Sequence, residues 1–140
     1  MDLIFLIIIG GLWGSFANVC IVRLPEDKGV VSGRSNCPKC KKQINWYDNI
    51  PIISYFILNG KCRKCKKPIS FQYVVVELLS IVSFVTIYLI YGFSFTTLLL
   101  FILSLGFIII FFIDLKHFII PDVITFPLMV LGFIKSFIPN

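Results

Sequence analysis

Three long apolar runs dictate what this chain can fold into. Met1–Leu24 carries only Asp2 and Arg23, Val74–Ile113 only Glu77, and Phe118–Ile138 only Asp122 and Lys135. A hydrocarbon core about 30 Å thick takes roughly 20 apolar residues of helix. The runs therefore predict four membrane spans, near Leu3–Val22, Val74–Ile90, Phe95–Ile113 and Val123–Ile138, with Tyr91-Gly92-Phe93-Ser94 as the turn between the second and third. With 58% hydrophobic residues, 15 Phe and 14% charged residues in 140 positions, the chain has more apolar surface than a small water-soluble domain can hide. The expected fold class is an all-α polytopic membrane protein with the lipid bilayer as its solvent. A cleaved signal peptide is a poor reading of the first run, which lacks a basic leading segment and exceeds the usual apolar length of about 7–15 residues.

Charge placement sets the expected orientation. Of 13 Lys and Arg, all but Lys116 and Lys135 lie within Arg23–Ser70. By the positive-inside rule this loop faces the cytoplasm, the N-terminus and the 91–94 turn face outward, and Asp114, Lys116 and His117 return to the cytoplasmic side. Topology alone accounts for the basic bias, so no nucleic-acid partner is inferred.

Four of the five cysteines form two pairs, Cys37-Pro38-Lys39-Cys40 and Cys62-Arg63-Lys64-Cys65. A Cys-x-x-Cys turn directs two thiolates at one metal, and two turns complete a tetrahedral sulfur shell, the spacing of structural zinc sites. Turn formers (Asp48-Asn49, Asn59-Gly60) and short apolar stretches between the pairs suit a small zinc-ribbon-like knuckle, with strands as an expectation. A loop this short has little core, so the metal supplies most of its folding free energy. Disulfides fit poorly in a reducing compartment, and a dithiol redox site is the competing reading. Cys20, inside the first span, reads as a small buried apolar residue. Trp46, Tyr47 and the following Ile50-Pro51-Ile52-Ile53 read as a segment packed on the knuckle or resting at the headgroup level.

Ionisable groups within or at the edge of a membrane span are costly and mark candidate sites. Asp114 ends the apolar run Gly106–Ile113, as a catalytic acid or as a boundary marker. Asp122 follows Ile119-Ile120-Pro121 and suits the first turn of a new helix, where the dipole favours a negative charge. The two make a poor carboxylate pair if the helix continues, since eight residues rise about 12 Å. Glu77 reads as a partner for a nearby Lys or Arg. His117 is the only histidine, and neither a nucleophile elbow nor a Gly-rich nucleotide loop is present.

Several of these segments occur together in one order: Gly14-Ser15-Phe16-Ala17-Asn18-Val19 running on to Arg23-Leu24-Pro25, Ser35-Asn36-Cys37-Pro38-Lys39-Cys40, Trp46–Tyr55, Gly60-Lys61-Cys62-Arg63-Lys64-Cys65, Ile69-Ser70 with Tyr73 and Glu77, then Asp114-Leu115-Lys116 and Ile120-Pro121-Asp122. In this register the chain closely resembles the N-terminal portion of the bacterial type IV prepilin peptidases, which are leader peptidases and N-methyltransferases. The resemblance implies a bacterial inner-membrane aspartic endopeptidase that cleaves the basic leaders of prepilins and pseudopilins at the cytoplasmic face. It then implies methylation of the new N-terminus with S-adenosylmethionine as methyl donor. It implies structural zinc on Cys37, Cys40, Cys62 and Cys65, and Asp114 as the first catalytic aspartate. The implied organisation is a first helix over 1–22, a cytoplasmic zinc-binding domain over 23–73, and the start of a membrane peptidase domain over 74–140. The family's second catalytic aspartate lies in a Gly-x-Gly-Asp motif that these residues lack. The chain is therefore expected to be a truncated form, inactive as a peptidase when isolated. A non-catalytic zinc scaffold and a membrane dithiol oxidoreductase are the alternative functions.

Overall fold

The computed structural model describes residues 3–30, 35–37 and 39–137. Among them the chain is helical: α1 (Leu3–Arg23), α2 (Ile53–Ile57), α3 (Gln72–Tyr91), α4 (Phe95–His117) and α5 (Asp122–Ser136), with 3-10 turns at Leu24–Glu26 and Trp46–Asn49. Three helices, α1, α3 and α4, are long and apolar enough to cross a bilayer. They carry the first three predicted spans to within a few residues. The fourth apolar run forms α5, which is 15 residues long and holds Pro127 inside it, so it falls short of the other three. The end of that predicted span, Ile138, lies outside the described residues.

The predicted turn after the second span is present. Gly92 closes α3 at φ 63° and ψ −157°, a conformation open essentially only to glycine. Ser94 then caps α4, its Oγ accepting the Thr97 N–H at 3.2 Å.

The bundle is held by close approach of α1 and α3. A Cβ on Gly14 would fall 2.7 Å from the Glu77 Cα, and one on Gly10 would fall 2.9 Å from the Ile81 Cα. Apolar helices gain no hydrophobic free energy by leaving lipid for one another, so small residues that admit backbone contact drive their pairing. Polar groups reinforce the seam: Ser80 Oγ donates to the Gly10 carbonyl at 2.8 Å, and Asn18 Nδ2 donates to the Tyr73 carbonyl at 3.0 Å. Helix α4 joins through a cluster of Ala17, Cys20, Ile21, Val76, Leu105, Ile109 and Ile113. Cys20 is buried there, as its sequence setting predicts.

Helix α5 turns back along α4. Phe118, at φ 54°, ends α4 in a left-handed cap whose N–H returns to the Asp114 carbonyl. Leu128 then lies over Gly106, where a Cβ would fall 2.5 Å from Leu128 Cδ1. The continuous-helix geometry considered for Asp114 and Asp122 is thereby replaced: the two residues stand on different helices at the same end of the bundle.

Candidate functional site

The two cysteine turns have one design. In the first, the Cys37 N–H donates to the Lys42 carbonyl at 3.0 Å and the Lys41 N–H to the Cys37 carbonyl at 2.8 Å. In the second, the Cys62 N–H donates to the Lys67 carbonyl and the Lys66 N–H to the Cys62 carbonyl, both at 2.9 Å. Lys41 (φ 56°) and Lys66 (φ 58°) take the left-handed conformation that folds each turn back. Isolated antiparallel bridges, Asn36 with Gln43 and Lys61 with Pro68, close the two loops. No longer strand forms among the described residues, so the ribbon expected between the pairs is reduced to these bridges: each turn is too tight to extend a ladder.

The turns face one another. All four sulfurs lie within 4.8 Å of each other, and the Sγ atoms of Cys37 and Cys65, which come from different pairs, are 3.9 Å apart. A tetrahedral zinc with Zn–S bonds of about 2.3 Å needs sulfurs about 3.8 Å apart. This set fits such an ion. A dithiol redox site needs only one pair, and the convergence of both is the arrangement a metal requires. Backbone N–H groups of Cys65 and Lys64 aimed at its sulfur bring the Cys62 thiol down to about 7. Cys65 receives a favourable Lys67 N–H, yet partial desolvation and the crowding of the other three sulfurs push it up to about 11. Like charges this close disfavour one another, and a cation among the four sulfurs would offset that repulsion.

The remaining contacts brace this centre. Arg63 forks onto Asp48, its Nη2 2.7 Å and its Nε 3.0 Å from Oδ1 with Nε also 2.9 Å from Oδ2, and its guanidinium lies over the Tyr47 ring at 5.6 Å. Lys64 Nζ donates to the Gln43 carbonyl at 3.2 Å, tying one cysteine turn to the other. Asp48 reads from sequence only as a turn former; its role as the acceptor for Arg63 has no local signal.

The acidic residues behave differently. Asp114 is exposed, next to the fully buried Ile113, three residues before the end of α4. Among the described residues its carboxylate makes no hydrogen bond or ion pair. Asp122 opens α5 behind Pro121, the first-turn position expected of it. His117 lies near enough to Glu26 for their charges to interact, which sets this end of α4 level with the turn that follows α1. Glu77 departs from expectation. It is buried, and rather than pairing with a cation it accepts the Ile52 backbone N–H at 2.7 Å. The bundle buries it against Gly14, where a Lys or Arg has no room. Asn18, Ser80 and Glu77 form a polar seam whose sequence trace is the Gly10-x-x-x-Gly14 spacing on α1.

A family model described as "Bacterial Peptidase A24 N-terminal domain" matches residues 8–91. A prepilin leader peptidase/N-methyltransferase of Vibrio cholerae is 40% identical over 148 aligned positions, covering 96% of this chain and 57% of the relative. The Myxococcus xanthus protein of the same name is 38% identical over 134 residues, covering 96% of this chain and 40% of the relative. A "Type 4 prepilin-like proteins leader peptide-processing enzyme" of Escherichia coli is 37% identical, covering 91% of this chain and 55% of the relative. The chain thus spans about half the length of these relatives. No solved structure matches it.

Proposed function

Since the chain belongs to the Bacterial Peptidase A24 N-terminal domain family, we propose that it serves a membrane endopeptidase that removes the leaders of type IV prepilins and pseudopilins. The same protein would then methylate the exposed N-terminus. The observation that carries this reading is identity of 37–40% across more than nine-tenths of the chain to enzymes bearing those names.

Asp114 is proposed as one member of an aspartic dyad. A dyad keeps one carboxylate ionised to activate water and the other protonated to donate to the leaving group. The exposed position of Asp114 at the end of a membrane helix supports this role, because a scissile bond between a basic leader and an apolar helix would lie at that depth. Its partner acid is proposed to come from the part of the relatives' length that these residues do not span. The cysteine turns are proposed to face the cytoplasm of a bacterial inner-membrane protein, in a domain covering residues 23–73. They would hold one structural zinc, since four thiolates leave no coordination position for water. S-adenosylmethionine is the proposed methyl donor, on the relatives' names and the family resemblance.

The test is Asp114→Asn in the complete gene product, co-expressed with a prepilin. Leader cleavage should fall about 10²–10⁴-fold, with the protein still in the membrane and still binding metal. Cleavage at the unmodified rate would remove Asp114 from the chemistry and favour the scaffold reading.

A further inference from the structure

The segment between the cysteine pairs does not lie over the bundle as a surface loop. Pro51 packs against Gly11, where a Cβ would fall 3.2 Å from the Pro51 Cβ and 3.6 Å from Ile81 Cδ1. Gly11 stands eight residues from Leu3 and twelve from Arg23, about 12 Å and 18 Å along the helix axis. That is mid-depth for a span of about 30 Å. The cysteine centre stays near the helix ends, with Cys37 close enough to Tyr73, at the start of α3, to interact with it. The chain therefore descends from one cysteine turn, reverses at Pro51–Ile53, and climbs back through α2 to the other.

The reversal is built for a dry setting. Ile52 has φ 61° and ψ −52°, the strained γ-turn conformation that a β-branched residue rarely takes. Its N–H, left over by the turn, is taken by the buried Glu77 carboxylate. Pro51 has no N–H to satisfy, the Ile53 N–H donates to the Pro51 carbonyl, and the Ser54 N–H to the Ile50 carbonyl at 3.2 Å. Ser54 Oγ donates to the Tyr47 carbonyl at 2.9 Å. Irregular backbone persists at membrane depth only where its polar groups are met in this way.

The outer face of the same segment is apolar and uncovered. Ile53, Phe56 and Ile57, at i, i+3 and i+4 of α2, are 57%, 63% and 68% exposed. Beyond them at the base, Lys61, Arg63 and Lys66 line a cleft with Ile57 and Leu58. Apolar tip and cationic base match the layering of acyl chains and anionic headgroups.

We propose that residues 50–57 form a re-entrant hairpin inserted into one leaflet, with Ile53, Phe56 and Ile57 against lipid acyl chains and the cysteine centre clasping its base at the headgroups. The partner is the hydrocarbon of the bilayer, continuous with the lipid around α1 and α3.

The unmodified, metal-loaded chain can be tested in nanodiscs of phosphatidylethanolamine and phosphatidylglycerol. One sample carries a phospholipid with a carbene precursor at the end of its acyl chain, and a parallel sample a water-soluble carbene precursor. Trypsin releases Gln43–Lys61 intact, and Lys67–Lys116, which spans α3 and α4, is the internal standard. Lipid adducts are expected on Gln43–Lys61, concentrated at Ile53, Phe56 and Ile57, at a yield per apolar residue comparable with the standard. The aqueous reagent should miss those three residues. Aqueous labelling of the three without lipid adducts would place the segment in water and overturn the proposal. Protection from both reagents would assign the face to a protein partner and overturn it equally. Neither readout depends on peptidase activity.

Discussion

Two backbone amides point at the Cys62 sulfur, and a residue-scale prediction follows from the pKa they produce. The converged turns hold Cys62 at about 7 and push Cys65 up to about 11, against an ordinary thiol near 8.5. Thiolate is also the metal-binding form, so zinc affinity should fall as pH drops through about 7, measured by competition with a chromogenic chelator. The two glycine contacts give a second prediction. Gly14→Ala meets the immovable Glu77 backbone and should lower stability by about 1–3 kcal/mol. Gly106→Ala meets only the mobile end of Leu128 and should change it by less than about 1 kcal/mol. Unfolding in detergent micelles measures both, and equal losses would show that the α1–α3 seam is not backbone-limited.

At the scale of elements, the sequence announces the three spanning helices, the 91–94 turn and the paired cysteines, because long apolar runs, Gly-Phe-Ser and Cys-x-x-Cys each specify structure within a few residues. It does not announce what depends on distant partners. Glu77 looks like half of an ion pair until α1 is seen lying against it. Ile52 gives no local hint of a positive φ, since the turn is imposed by a carboxylate 25 residues away. Asp114 and Asp122 look a helix length apart until Phe118 turns the chain back. Among the described residues the cysteine turns have few contacts beyond the Arg63–Asp48 fork, the Lys64 tie and their own bridges, so a bound metal should dominate their stability. Chelation should release one zinc per chain, expose four reactive thiols and raise amide exchange across 35–68, with α1, α3 and α4 protected as before. Structural zinc contributes on the order of 10 kcal/mol in small zinc domains. Unchanged exchange after complete zinc loss would mean that packing alone holds the turns.

For the whole molecule, orientation is the testable property. The basic cysteine loop and the Gly92–Ser94 turn lie at opposite ends of α3, so they belong to opposite faces of the membrane. A Phe93→Cys variant, changed at a residue 87% exposed, should react with an impermeant maleimide on intact cells. The native cysteine turns should react only after permeabilisation and chelation. The reverse pattern would contradict the proposed topology and remove the basis for placing Asp114 against a cytosolic leader peptide.

The glycine seam between α1 and α3 also bears on biogenesis. The first helix leaves the ribosome long before its mate, with the whole cysteine-bearing stretch emerging in between. Until that stretch condenses, the two surfaces must find each other across a slack tether. An ion held by the proposed site would shorten the tether, and closing a shorter loop forfeits less chain entropy. On that reading the seam would close later in a chain short of metal, leaving the first helix unmated for longer.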